Sequence, residues 1–355
     1  MKIIIFGGGH GTRLWPISRK DSPKQFTKLF EGKSTIQLAV ERVQEIFGIE
    51  NIYISTNKDF EKRSFEQLSQ VPKDNFFFEP AKRDVAPAIG LSFLKLKEQG
   101  YSGSVAILWA DHIMKNTEEF QKALTLGEEL INDNPERFVF IGEKPRFPNH
   151  NLGWITVGDR IDRKNGLKIS QFEKWRYRPP LEEAKELFES GKSFWNPGYF
   201  VTSIDFVLDL YKKHQPKMYE ALERIAKKPQ TIDKAYQEVE ALSFDDAIIS
   251  KTAKEAAVVI EVDMGWSDPG TLYALKESLQ ETPEANVEKG KLYAMETKDS
   301  LIYNYEEDKF IATIGLEGII IVNTKDALLV VDKGNAHKVA DLVDQLRESE
   351  FKDFT

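Results

Sequence analysis

Gly7, Gly8, Gly9 and Gly11 crowd into five positions directly after the apolar run Ile3–Phe6, and they lead into Thr12, Arg13 and Lys24. That composition suits a polyphosphate. Glycines without a Cβ can adopt positive φ and let backbone N–H groups close around phosphate oxygens, while the two cations supply full charges. A plain strand-to-loop turn needs fewer glycines, since each costs backbone entropy. Two commoner phosphate motifs are excluded by spacing: no Lys follows a glycine as in G-x-x-x-x-G-K-[ST], and Thr12 occupies the last glycine slot of G-x-G-x-x-G. Asn57, where an acid is expected at the end of the second strand, further disfavours a dinucleotide-binding dehydrogenase.

The run Ile3–Phe26, with Leu14-Trp15-Pro16 and Pro23-Lys24-Gln25-Phe26 after the glycines, resembles the opening motif of the sugar-1-phosphate nucleotidylyltransferases, in their mannose-1-phosphate guanylyltransferase branch. The resemblance implies that Gly7, Gly8, Gly9, Gly11 and Thr12 hold the nucleoside triphosphate. Arg13 would grip the leaving pyrophosphate and Lys24 the phosphate under attack. Glu79-Pro80 and Arg83 to Ile89 resemble the segment that receives guanine, with Glu79, Asp84 and Ala86 as base-side candidates. Guanine presents N1–H and its 2-amino group as adjacent donors, which one carboxylate can accept together. A solvated residue before a helix-starting turn is the alternative reading of Glu79.

Asp111, after the run Val105–Trp109, and Asp268, in Gly265-Trp266-Ser267-Asp268-Pro269-Gly270, match the family's two metal carboxylates. Two carboxylates plus phosphate oxygens are what Mg²⁺ takes. Trp109 stands where the family has a proline. His112 reads as an orienting residue, because none of the five histidines has zinc-like spacing with another. Ile169 to Lys174 resembles the Phe-x-Glu-Lys-Pro segment, with Trp175 in place of proline; Lys174 would contact the sugar phosphate and Glu173 a sugar hydroxyl. Without that match, Glu173-Lys174 is an ordinary solvated pair. Asn196, in Trp195 to Phe200, would face a sugar hydroxyl, and Gly153 would lay backbone against the sugar ring.

These residues need a scaffold, and the 355-residue chain is long enough for one large domain with a smaller appendage. At 41% hydrophobic and 30% charged it is an ordinary globular composition. The net charge of −8 argues against general nucleic-acid binding, so a bound nucleotide is a free one. The absence of cysteine removes disulfides, thiol nucleophiles and cysteine-ligated metals. No run reaches the roughly 18 apolar residues of a membrane span, and the N-terminal apolar run is shorter than a signal peptide's, so a cytoplasmic protein is expected. Strand-like runs Ile3–Phe6, Ile52–Ser55, Val105–Leu108 and Phe138–Ile141 alternate with amphipathic stretches such as Ser34–Phe47 and Leu181–Glu189. That rhythm predicts a Rossmann-like, mixed, mostly parallel α/β sheet with ligands beyond the carboxyl ends of its strands. The expected domains are 1–280, catalytic, and 281–355, small and β-rich, ending in a helix from about His337. The resemblance implies the nucleotide-diphospho-sugar transferase fold for the first and a short left-handed β-helix for the second.

Together these readings imply transfer of GMP from GTP to mannose 1-phosphate, giving GDP-mannose and pyrophosphate by direct Mg²⁺-assisted in-line displacement. A sugar phosphate with a second pKa near ~6 is already a nucleophile, so no general base is required. Another base or sugar phosphate stays open, as does a catalytically silent nucleotide-sugar-binding subunit, although retention of Arg13, Lys24, Asp111 and Asp268 speaks against the latter. Oligomeric state is open as well, a homodimer included. Some family members continue into a cupin-like isomerase domain; with the chain ending at Thr355, transferase activity alone is expected.

Overall fold

The computed structural model describes residues 1–355 apart from 10, 11, 20, 21 and 31. In chain order its strands are β1 (Lys2–Phe6), β2 (Lys28–Phe30), β3 (Lys33–Ser34), β4 (Ile52–Asn57), β5 (Phe76–Glu79), β6 (Ser104–Trp109), β7 (Phe138–Glu143), β8 (Gly153–Lys164), β9 (Leu167–Tyr177), β10 (Ser193–Asn196), β11 (Phe200–Ser203) and β12 (Ala257–Val262). The last six, β13 (Val287–Lys289), β14 (Leu292–Met295), β15 (Leu301–Asn304), β16 (Ile311–Ile314), β17 (Ile319–Asn323) and β18 (Leu328–Asp332), are short. By internal contact the chain forms two compact units, one of residues Met1–Gly8, Ala39–Ala110 and Met114–Trp266, the other of Gly9–Leu38, Asp111–Ile113 and Ser267–Thr355. The expected boundary at residue 280 follows the chain, whereas this division collects the glycine-loop segment and Asp111–Ile113 with the C-terminal region.

The first unit is built on a ten-stranded sheet ordered β10-β8-β9-β12-β7-β11-β6-β1-β4-β5. β5, β4, β1 and β6 pair in parallel, as do β7 and β12. β11 enters antiparallel between β6 and β7, and β8, β9 and β10 continue the sheet with antiparallel pairings. Ile3, Ile4 and Ile5 are fully buried, as expected of a strand covered on both faces. The helix Val85–Glu98 is buried along most of its length, and its Ile89 and Phe93 share a core with Val207, Leu222 and Phe244. A Cβ on Gly90 of that helix would lie 2.8 Å from Leu222, so glycine is what lets the neighbouring helix approach.

The second unit carries the small β structure. β13, β15 and β17 pair in parallel with Val287 opposite Leu301 and Leu301 opposite Ile320, and β14 pairs in parallel with β16. Successive coils thus stack in register without equal lengths, which is why no clean repeat shows in the sequence. Buried Asn304 and Asn323 bridge the coils, the Asn323 amide donating to Asn304 at 2.8 Å. The Asn304 amide donates in turn to Lys291 O at 3.0 Å and Lys309 O at 2.7 Å, satisfying backbone groups in the turns. The helix Val339–Arg347 closes the unit through Val339 and Val343, which share a core with Leu14, Trp15, Leu272 and Leu329. Lys276, fully buried, donates to Pro283 O at 2.8 Å and pairs with Asp299, which also pairs with Lys333. No helix among the described residues is long and apolar enough to cross a membrane.

Candidate active site

In the second unit, the two predicted metal carboxylates meet on one cation. Lys24 Nζ lies 3.1 Å from Asp111 Oδ2 and 3.2 Å from Asp268 Oδ1. An antiparallel bridge between Ile113 and Ser267, bonded in both directions at 3.0 Å, brings the Asp111 and Asp268 segments side by side. Lys24 is 4% exposed, on a single turn of 3₁₀ helix, Lys24–Phe26. Burial penalises its charge, but Asp111 and Asp268 outweigh that penalty and hold the ammonium above its ordinary value. The dense surroundings likewise oppose the Asp111 charge, yet Lys24 and then His112 bring its carboxyl down to about 2. His112 Nε2 stands 3.9 Å from Asp111 Oδ1, which suits the orienting role expected of it.

Arg13 reaches the same turn of chain: a Cβ on Gly270 would lie 3.6 Å from its guanidinium. The Gly270 N–H donates to Asp268 O at 2.8 Å, which closes the turn around the carboxylate. Gln25, the third residue of Pro-Lys-Gln-Phe, donates from Nε2 to Gly9 O at 2.8 Å and so ties the cation segment to the glycine loop. Gly7 is held at the end of β1 by its N–H to Ser55 O and by Thr56 Oγ1 on its carbonyl. Gly11 lies outside the described residues. Gly8 and Gly9 differ from expectation in one respect: neither adopts positive φ, and a Cβ on either would meet nothing within 4 Å. Glycine at these positions keeps space open for close backbone approach; no left-handed turn requires it.

On the base side, in the first unit, Glu79 ends β5 opposite Asn57. Tyr236 donates its hydroxyl to Glu79 Oε2 at 2.5 Å, and Ser55 Oγ stands 3.5 Å from Oε1. Burial lifts this carboxyl to about 7, against the pull of those hydroxyls and of Lys95. Asp84 caps the helix Val85–Glu98: at φ 64° its Oδ1 accepts from Val85 N at 2.8 Å. Ala86 spends its N–H on Leu242 O and accepts from Tyr211 at its carbonyl. Of the three base-side candidates, Glu79 alone presents a side-chain carboxylate that is not committed to holding a helix end.

Also in the first unit, the strand register gathers the sugar-side candidates. Gly153 stands opposite Asn196 on β10 and opposite Tyr177 on β9, while Thr156 faces Lys174. Lys174 pairs with Thr156 and Phe172 with Val157, so Glu173 is the extra residue of a bulge, a device that re-aims side chains. Glu173 and Lys174 are both exposed. Asn196 accepts from Gly198 N at 3.0 Å through Oδ1, which leaves its Nδ2 as the donor. Trp109 Nε1 donates to Gly198 O at 2.9 Å, and Gly198, at φ 75°, is where a Cβ would come within 2.6 Å of that indole nitrogen. The tryptophan that replaces proline before Ala110-Asp111 therefore anchors the Asn196 loop, a link no sequence pattern displayed.

Sequence reasoning also missed Glu143. This fully buried carboxylate at the end of β7 accepts from Met264 N at 2.8 Å and Trp266 N at 3.0 Å and pairs with Arg146. It fixes the segment that runs on to Asp268, and burial lifts its carboxyl to about 7 against those donors. Among the described residues no group of three or more His, Asp or Glu side chains gathers as an all-protein metal cage.

Residues 2–285 match the nucleotidyl transferase family, and residues 290–346 match the MannoseP isomerase/GMP-like beta-helix domain. The mannose-1-phosphate guanylyltransferase RfbM of Salmonella typhimurium is 32% identical over 99% of this chain and 73% of its own length. The alginate biosynthesis protein AlgA of Pseudomonas syringae pv. tomato is 30% identical over 97% of this chain and 71% of its own. A crystal structure from Thermus thermophilus, described as that of a mannose-1-phosphate geranyltransferase, superposes with a TM-score of 0.88 at 27% identity, over 98% of this chain and 99% of that one. By family match, relatives and fold alike, the chain belongs to the nucleotidyl transferase family and is a nucleotidyltransferase.

Proposed function

We propose that this protein transfers GMP from GTP to mannose 1-phosphate, giving GDP-mannose and pyrophosphate. The observation that carries the proposal is the meeting of Asp111 and Asp268 on Lys24 Nζ. Nucleotidyl transfer needs charge placed where the phosphates change hands, and here three residues far apart in sequence supply it. An ammonium has three donors, and two are engaged by the carboxylates, so the third suits an α-phosphate oxygen. Arg13, exposed beside the Asp268 turn, suits the departing pyrophosphate.

The donor set also fits Mg²⁺: two carboxylate oxygens already converge on one cation, and a hard ion takes its other ligands from phosphate and water. When bound by Asp111 and Asp268, that ion neutralises charge on the phosphate oxygens. In the proposed reaction the sugar phosphate oxygen attacks the α-phosphorus in line with the leaving pyrophosphate, and no proton need be removed. Glu79 favours guanine by accepting N1–H and the 2-amino group. Lys174 holds the sugar phosphate, and Glu173, Asn196 and Gly153 face the sugar. The proposed domains are 1–280 for this chemistry and 281–355 for the β-helix, and the proposed setting is the cytoplasm.

A pyrophosphate-release assay with Mg²⁺, crossing GTP, ATP and UTP against mannose, glucose and N-acetylglucosamine 1-phosphates, tests the reading. GTP with mannose 1-phosphate should give the highest kcat/KM. A higher value for any other pair replaces the proposed substrates, and no release with any pair would leave a silent binding subunit.

A further inference from the structure

We infer that Tyr236 is a positioning residue for base selection, its hydroxyl fixing the Glu79 carboxylate at the angle that accepts guanine's paired donors. The inference rests on Glu79 as the base-recognition carboxylate. Tyr236 opens a single turn of 3₁₀ helix, Tyr236–Glu238, and is fully buried. Its O–H has one proton to give, and Glu79 Oε2, at 2.5 Å, takes it. The phenol is held far above its ordinary value, by burial first and then by the neighbouring Glu79, so it stays a neutral donor at every working pH.

The same short stretch of chain grips the rest of the base-side segment. Arg83 donates to Gln237 O, and Ala86 N donates to Leu242 O at 3.0 Å. Segment 236–242 therefore braces segment 79–86 at three points, one of them the carboxylate itself. A carboxylate has about four acceptor positions, so a donor on Oε2 and a distant hydroxyl near Oε1 leave room for two more. Guanine's N1–H and 2-amino group would use them; adenine, with an acceptor at N1, cannot. The charged groups bearing on this pair are Lys95 at Glu79 and Arg83 at Tyr236, and both favour ionised forms.

The experiment measures Kd for GTP, ATP and ITP by titration calorimetry on the intact enzyme and its variants across neutral pH. Taking the ratio of ATP to GTP Kd cancels the ionisation of the triphosphate, which the two ligands share. In the parent enzyme this ratio should climb as pH rises through about 7, where Glu79 ionises. Tyr236→Phe keeps the ring and deletes one donor. It should lower the plateau ratio about tenfold, the scale of one hydrogen bond to a charged group. It should also shift the climb to higher pH, shrink the preference for GTP over ITP, and leave the ATP Kd and the KM for mannose 1-phosphate unchanged. Ser55→Ala should act in the same direction and less. A folded Tyr236→Phe with an unchanged ratio and an unshifted climb overturns the inference. Should that variant not fold, 3-fluorotyrosine placed at position 236 keeps the shape and strengthens the donor, and an unchanged ratio with it overturns the inference. Glu79→Gln separates the two readings: if it collapses the ratio while Tyr236→Phe does not, only the role of Tyr236 fails; if it leaves the ratio intact, base recognition by Glu79 fails too.

Discussion

Asp111 and Glu79 both stand at the carboxyl ends of parallel strands, the first just beyond β6 and the second as the last residue of β5. Their surroundings drive them apart. Burial opposes ionisation at each, but Asp111 shares a lysine with Asp268 and is held at about 2, while Glu79 has hydroxyls and a more distant lysine and rises to about 7. A full charge in contact outweighs desolvation, whereas neutral donors only moderate it. The Asp111 carboxylate facing Lys24 is thus held ionised well below neutrality, which suits the proposed site for a hard cation and phosphates. Glu79 is poised instead, and its ionisation can be coupled to what it binds.

The contrast breaks most severely at Asp268. Asp268→Asn keeps the shape and removes the charge, and turnover should fall about a hundredfold or more, the scale of losing one preorganised electrostatic group. Pyrophosphate release at saturating magnesium checks it, with circular dichroism to show that the fold survives. A rate within a few fold of the parent would dismiss Asp268 as a ligand.

Lys24→Met tests whether the ammonium is what holds Asp111 down. A buried cation lost from between two part-exposed carboxylates should cost about 2 kcal/mol of stability near neutrality, after allowance for solvent screening. Asp111 in the parent is depressed from 3.8 to about 2, so its contribution is present above 3.8 and is lost as pH falls toward 2. The stability gap between parent and variant in urea should therefore narrow across that window. A gap that stays constant to the lowest pH would mean the lysine acts by packing alone.

At the poised carboxylate the effect is smaller. Glu79→Gln presents guanine with a donor where an acceptor is wanted, and the ratio of kcat/KM for GTP over ATP should drop about tenfold. Equal ratios in parent and variant would move base recognition to backbone groups.

The smallest effect is expected at Lys174, an exposed cation to set against buried Lys24. Lys174→Met should raise the KM for mannose 1-phosphate about threefold and leave GTP binding alone, because an exposed charge is screened by water. A change in GTP affinity instead would transfer Lys174 to the nucleotide side.

What neighbouring residues decide was legible in the sequence for a physical reason. Phosphate binding needs glycines and cations close together, and a buried parallel strand needs a continuous apolar run; both are properties of neighbouring residues. Hence the strands β1, β4, β6 and β7 could be read directly, as could the helices Thr35–Phe47 and Leu181–Glu189, while the glycine loop, Arg13 and Lys24 could be nominated for phosphate. Asp111 and Asp268 could be nominated, but not their meeting on Lys24, because that depends on a bridge between Ile113 and Ser267 with no sequence mark of its own. Tertiary structure alone decided that β11 enters between β6 and β7, that Trp109 anchors the Asn196 loop, and that Tyr236 finds Glu79 across 157 residues of chain. A buried donor seeks whatever acceptor the folded core sets beside it. A tyrosine in an ordinary amphipathic stretch carries no trace of that partner until the core has closed around both.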